Sequence, residues 1–337
     1  MDSRTTPASS AGIALPIPAS AFQKGISFTA WRAGHYTRPE TEVSLQNLLA
    51  TGANWIAVIV TGYQDNHGST TIDRTSRRTS TDADLAHVIR LTHERGVKVM
   101  LKPHLNLSND LWRGQIGTTF TTESQWEAWF QAYEGFITHY AELAQQNGVE
   151  LFSIGTELAG VTHRESDWRR IVGAVRQRFN GHLTYASHDR LDFPKVTWWD
   201  ALDYIGVDVY IPLTTKTDPT VDELKRAWIE GGYGAQLEDV SRRFNKPVIF
   251  TEIGYRSVNG ANKSPWDWRT KGKIDLQEQA DLYQAALEVF WGNPWLAGMF
   301  WWEWLAYPQK GGATDDGYTP YNKPAQEVLR RFYLGQR

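Results

Sequence analysis

Eight short β-rich runs alternate with helical stretches along almost the whole chain, and that alternation leaves few folds open. The runs are Lys24–Trp31, Trp55–Thr61, Lys98–Asn106, Leu151–Glu157, His182–His188, Tyr204–Tyr210, Pro247–Tyr255 and Leu296–Trp304. Helical periodicity is clearest over Glu40–Ala50, Asp82–Glu94, Ser124–Gln146, Ser166–Phe179, Val221–Phe244, Leu276–Phe290 and Lys323–Tyr333. Strands alternating with helices make parallel βαβ units, and eight of them predict a closed (β/α)8 TIM barrel of the α/β class, a single domain over residues 22–337. No G-x-G-x-x-G follows a strand, which argues against an open dinucleotide-binding sheet. Residues 1–21 are rich in Ser, Thr, Ala and Pro, and Pro16 and Pro18 interrupt their apolar part. They read as a disordered leader or processing remnant and lack the h-region of a signal peptide, so the compartment stays open between extracellular and cytoplasmic.

Alternation inside the strands predicts where chemistry can sit. Phe152 and Ile154 share one face, while Ser153, Gly155 and Glu157 share the other. The same split sets Ile26 and Phe28 against Ser27, Thr29 and Trp31, and Val99, Leu101 and Leu105 against Lys102, His104 and Asn106. It also sets Ile205, Val207 and Val209 against Asp208 and Tyr210. The apolar face must pack on helices, so the polar face points into the barrel and its last members reach the C-terminal rim, where barrel active sites are built. A slip of one residue in any strand would invert this assignment.

Charge narrows the partners. Lys plus Arg number 35 and Asp plus Glu 38, a net charge of -3, so neither nucleic acid nor an anionic membrane is expected as a partner. Zero Cys removes disulfides, thiolate metal sites and a cysteine nucleophile, and no His spacing suits a metal. No cofactor is expected, and a monomer is. Sixteen Trp are many for 337 residues. They can fill a large core or stack the flat apolar faces of pyranose rings in a groove.

The rim set by this reading is Trp31, Asn106, Glu157, His188, Tyr210, Glu252, and Trp302 or Trp304. Two of these are carboxylates, on the fourth and seventh strands. Retaining cleavage of a glycosidic bond needs such a pair: one acid protonates the leaving oxygen and later activates water, while an ionised partner attacks the anomeric carbon. Tyr210 is placed to donate to the attacking carboxylate, and His188 and Asn106 to orient the pair. Glu303 has the parity of the helix side, Lys102 and Asp208 read as a buried structural ion pair, and Trp126 and Trp129 read as helix packing. Trp198, Trp199, Trp266 and Trp268 fall in loops and could either line outer sugar subsites or anchor those loops to the barrel.

The segments Lys24–Trp31, Lys102-Pro103-His104-Leu105-Asn106 with Trp112-Arg113-Gly114, Ile154–Leu158, Asp203–Asp208, Thr251–Tyr255 and Asp316–Pro320 together resemble glycoside hydrolase family 113 of clan A. The likeness runs from about residue 23 to residue 333. It implies a retaining β-1,4-mannanase on a (β/α)8 barrel, with Glu157 as acid/base, Glu252 as nucleophile and a β-linked polysaccharide or oligosaccharide as substrate. His104, Trp112 and Arg113, within the resembling segments, join Trp31, Asn106, His188, Tyr210, Trp302 and Trp304 as expected substrate-binding residues. Many clan members carry Asn just before the acid/base, where this chain has Thr156; Asn106 is then the candidate for the sugar 2-hydroxyl. A transglycosylase, an exo-acting glycosidase on another β-linked glycan and a non-catalytic carbohydrate-binding barrel are the alternatives.

Overall fold

A computed structural model describes residues 21–269, 271–307 and 310–336. The leader expected over residues 1–21 therefore lies, except for Ala21, outside the described residues. The strands are β1 (Gln23–Thr29), β2 (Trp55–Gln64), β3 (Lys98–Leu107), β4 (Leu151–Thr156), β5 (His182–His188), β6 (Ile205–Val209), β7 (Val248–Ile253) and β8 (Leu296–Leu305). They close in sequence order into a parallel barrel, with β1 paired to both β2 and β8. The helices are α1 (Pro39–Leu49), α2 (Asp82–His93), α3 (Glu123–Gln146), α4 (Glu165–Arg176), α5 (Val221–Glu230), α6 (Tyr233–Phe244), α7 (Leu276–Phe290) and α8 (Pro324–Tyr333). The single helix expected over Val221–Phe244 is broken at Gly231-Gly232, where Gly232 takes a φ of 68° that a side chain would resist. Between β5 and β6 the connection holds only two 3₁₀ turns, Phe193–Lys195 and Trp199–Ala201. Capping boxes start α2, α3 and α5 at Thr81, Thr122 and Thr220, each worth about 1 kcal/mol to its helix.

Side-chain parity sorts the core into two compartments. Ile26, Phe28, Val58, Val99, Leu101, Phe152, Ile154, Val207 and Phe250 lie in the large apolar shell between strands and helices. Trp55, Ala57, Ile59, Met100, Leu151, Ile249, Ala297 and Phe300 form a separate apolar cluster inside the barrel, mostly near the strand starts. Above that plug sits a polar layer of fully buried residues, Ser27, Lys102, Ser153, Asp208 and Thr251. The interior is thus apolar toward the strand N-termini and polar toward the C-terminal mouth, which fixes the end at which polar substrates can react.

Three strands depart from strict alternation near that mouth. From Ser153 to Thr156, β4 uses three steps against two on β5. From Phe250 to Glu252, β7 uses two against one on β6. From Trp301 to Trp304, β8 uses three against two on β1. Each is an extra residue of the bulge type, which re-aims the side chains beyond it.

Candidate active site

Glu252 stands on β7 directly after such an extra residue. Its Oε1 accepts from Lys102 Nζ at 2.6 Å, and its Oε2 accepts from Tyr210 OH at 2.8 Å. Lys102 reaches it from β3, where period 2 brings Met100, Lys102 and His104 to the inner face. The same ammonium donates to Asp208 Oδ1 at 2.9 Å, so the ion pair expected between Lys102 and Asp208 is half of a three-membered group that includes Glu252. Burial first, then the Glu252 charge, hold the Tyr210 phenol well above its ordinary pKa, so it is a fixed donor. His104 is buried with its Nε2 3.5 Å from Glu252 Oε1. Burial, then the charges of Arg113 and Lys102, hold its pKa well down, so the ring is neutral. It stacks on Trp302 at 5.9 Å and 12°, and neither ring nitrogen has a hydrogen-bond partner among the described residues.

Glu157 follows β4 with a positive φ of 52°, and its N–H donates to Ala186 O at 2.7 Å. Trp112 Nε1 donates to its Oε2 at 3.3 Å. The Trp112 ring meets His188 edge to face at 5.2 Å. His188 Nδ1 lies 3.2 Å from Asp189 Oδ1, and Asp189 Oδ2 accepts from the Tyr210 backbone N–H at 2.9 Å. A continuous chain of contacts therefore joins the two acids: Glu157, Trp112, His188, Asp189, Tyr210, Glu252. Burial opposes a charge on His188, but the Asp189 contact and the Glu157 and Asp189 charges outweigh it and raise its pKa. Gly114 and Gly160 let the loop after β3 lie against the one after β4. Gly160 N donates to Gly114 O at 2.9 Å, and a Cβ on Gly160 would sit 2.2 Å from Ile116 O.

The remaining expected residues divide. Trp31 is half-buried and meets Trp302 at 5.9 Å and 61°. Asn106 is half-buried at the end of β3, on the parity of Lys102 and His104. Arg113 opens the turn after Trp112, with Nη1 buried and unbonded among the described residues. Trp304 does not reach the mouth: it is fully buried behind β8, donates to Ser44 Oγ at 3.1 Å and packs on Tyr321 at 5.0 Å. The extra residue in β8 reverses the expected parity there, sending Trp304 out and Glu303 in. Gly155 is also corrected, since a Cβ on it would meet Tyr133 and Tyr185 of the outer shell. Trp198 and Trp199 are buried, Trp198 stacked on Trp168 at 5.0 Å, and line no groove. Trp266 and Trp268, in the loop after β7, remain 46% and 64% exposed. Asp189 is a link between the acids that sequence reading missed; it lies one residue past the rim set.

Glu303 Oε2 accepts from Thr29 Oγ1 at 2.8 Å, and no cation pairs with it among the described residues. Burial, with the Glu252 charge behind it, pushes its carboxyl up to about 7. The native state then keeps this proton to higher pH than the unfolded chain does, so stability is lost as pH rises from about 4.5 to about 7. Glu303→Gln keeps an acceptor for Thr29 and removes the titration. Between pH 5 and pH 8 the wild type should lose about 1–3 kcal/mol more than this variant in equilibrium urea unfolding. Parallel pH profiles would show an ordinary carboxyl.

Among the described residues no group of three His, Asp or Glu side chains is arranged as metal ligands. A model of the family described as Glycoside Hydrolase Family 113 matches residues 26–323. A solved structure described as a GH113 β-1,4-mannanase in complex is 29% identical with a TM-score of 0.83, covering 93% of this chain and 99% of that one. A GH113 β-mannanase from Alicyclobacillus acidocaldarius, in complex with ManMIm, is 30% identical with a TM-score of 0.84, covering 94% and 98%. A β-glucuronidase from Faecalibacterium prausnitzii, 15% identical with a TM-score of 0.59, shares the barrel over 94% of this chain and 49% of its own length. No curated protein matches the sequence.

Proposed function

Since this chain belongs to glycoside hydrolase family 113, we propose that it cleaves β-1,4-linked mannan or mannooligosaccharides by double displacement with retention, Glu252 attacking and Glu157 serving as acid/base. The observation that carries this division of roles is the asymmetry in how the two carboxyls are held. Glu252 has a separate donor on each oxygen, Lys102 and Tyr210, which fixes the direction of its lone pairs. Glu157 has one long contact, from the Trp112 indole, and keeps an oxygen for a leaving group or a water. Relatives of similar length described as β-mannanases supply the substrate class.

In the first step the Glu157 carboxyl gives its proton to the glycosidic oxygen as a Glu252 oxygen attacks the anomeric carbon. The bond to the leaving sugar breaks and a glycosyl ester forms. In the second step the Glu157 carboxylate takes a proton from water, the resulting hydroxide equivalent attacks the same carbon, and the ester bond breaks to restore Glu252. Trp31 and Trp302 offer aromatic faces to the reacting sugar, Asn106 offers hydrogen bonds to its hydroxyls, and Trp266 and Trp268 offer flat surfaces farther out; His104, with both ring nitrogens buried, backs the Trp302 ring and, against expectation, does not reach the sugar.

Mannose and glucose differ by the axial 2-hydroxyl, and a site that hydrogen-bonds that group leaves buried polar atoms unpaired with the wrong epimer. Mannohexaose should be cleaved with at least about 100-fold higher kcat/KM than cellohexaose, about 2.7 kcal/mol of transition-state preference. Proton NMR of the first product should show the β anomer before mutarotation. Equal rates on both series would remove the mannan assignment, and an α first product would remove retention.

A further inference from the structure

We propose that Asp208 is a positioning residue for the attack, dividing the Lys102 ammonium between itself and Glu252 so that the nucleophile is not held too tightly by its cation. The inference rests on the reading of Glu252 as nucleophile. Its basis is a buried group with one cation and two carboxyls. Lys102 Nζ donates to Glu252 Oε1 at 2.6 Å and to Asp208 Oδ1 at 2.9 Å, with Lys102 and Asp208 fully buried. Thr251 Oγ1 donates to the same Asp208 Oδ1 at 2.7 Å, which anchors Asp208 on the strand that carries Glu252. Asp208 Oδ2 is buried with no hydrogen-bond partner among the described residues. A carboxyl that served only to pair with Lys102 would gain by using both oxygens; this one is presented edge-on, in competition with Glu252.

The consequence follows the charge on Glu252. When Glu252 attacks, its carboxylate becomes a neutral ester and the anomeric carbon passes through a cationic state. Lys102 opposes both changes, because it prefers an anion beside it and repels a developing cation. Asp208 relieves both. It draws the ammonium away before attack, and afterwards it pairs with the ammonium that the ester no longer compensates. In the second step the two effects oppose one another, since Glu252 is then the leaving group and a less shared Lys102 would help it depart. Removing the charge of Asp208 should therefore slow the first step and spare the second.

Glu252 is faced by Lys102 and His104 from β3, Asp208 from β6, Tyr210 just past it, Glu303 from β8 and Tyr318 from the segment after β8. Burial, then the Glu252 charge, push the Asp208 carboxyl well up, against the Lys102 ammonium and the Thr251 hydroxyl, which favour its anion; Glu157, just past β4, adds to the upward push, and Tyr233 and His188 lie nearby. Of these groups only Asp208 shares with Glu252 a direct contact to Lys102.

The test is Asp208→Asn, which keeps the shape and the acceptor at Oδ1, assayed on an aryl β-mannotrioside with a good leaving group. kcat/KM, which reports the first step, should fall about 10–100-fold, while kcat, limited by ester hydrolysis, should fall less than about 3-fold. The gap between the two effects should widen as pH rises, because burial keeps the Asp208 proton to higher pH and the charge that the variant lacks is present only once that proton is lost. In a Lys102→Met background, where there is no cation to share, Asp208→Asn should produce no such gap. A purely structural Asp208 would lower kcat and kcat/KM together at every pH, and that result overturns the proposal. If Asp208→Asn does not fold, Lys102→Met alone decides: the second step should slow more than the first, and equal slowing overturns the sharing. Mass-spectrometric labelling of the wild type by a 2-fluoro glycosyl inactivator separates the two readings, since a label away from Glu252 overturns the nucleophile itself.

Discussion

Glu252→Gln is expected to lower kcat/KM on mannohexaose by at least about 10⁴-fold while leaving the fold intact. The amide oxygen can accept from Lys102, and the amide nitrogen can donate to the Tyr210 oxygen, so both contacts persist although the phenol proton loses its acceptor. What is lost is the attacking oxygen, because a neutral amide cannot form the glycosyl ester. Steady-state kinetics on mannohexaose and the urea midpoint together check this. A residual rate above about one part in a hundred, with the midpoint unchanged, would assign attack to another group. Lys102 should feel the change too, since Asp208 then holds its only anionic contact in the group.

Glu157→Ala should behave differently on different leaving groups. Proton donation contributes about 10²–10⁴-fold where the leaving oxygen is a sugar alkoxide and little where it is an activated phenolate. Mannan cleavage should therefore fall by about 10³-fold or more, while the burst of phenol from an activated aryl mannoside persists and stops at the ester. Azide needs no general base, so adding it should restore turnover and give the β-glycosyl azide. Equal loss on both substrates, with no azide product, would take Glu157 out of the role. The substitution leaves the Trp112 indole without its acceptor but keeps a Cβ at the same backbone position, so the loop after β4 should hold its shape.

The barrel was legible because its signals are local and repeated. Ile26 and Phe28, Phe152 and Ile154, or Ile205 and Val207 each declare an outer face by period 2, and all six lie in the shell under the helices. Lys102, His104 and Asn106 were legible for the same reason, on a strand whose register with β2 runs without interruption. The errors cluster where β4 and β8 gain a residue. Gly155 was assigned inward, Glu303 outward and Trp304 to the rim, each by counting in twos across a bulge. Nothing in the composition of Trp301-Trp302-Glu303-Trp304 marks the extra step, because it is imposed by pairing with β1. Glu157 and Glu252 were found from strand ends, which a one-residue count hardly disturbs. Of the two readings open for Trp198 and Trp199, anchoring holds: the β5–β6 connection has no α-helix, and these indoles fill the space one would occupy.

A single backbone angle says something about how this enzyme divides its stability from its work. Glu157 adopts a φ of 52°, a region in which a Cβ crowds the backbone and which costs about 1–2 kcal/mol for a residue other than Gly. A chain tuned for endurance alone would place Gly or Asn there and recover that energy. The barrel instead carries a permanent deficit at the residue proposed to handle the proton, offset by packing spread over the rest of the core. Improvement of this protein by thermal selection without an activity screen would meet that position early, and the cheapest gain in melting temperature would be the one that disarms it.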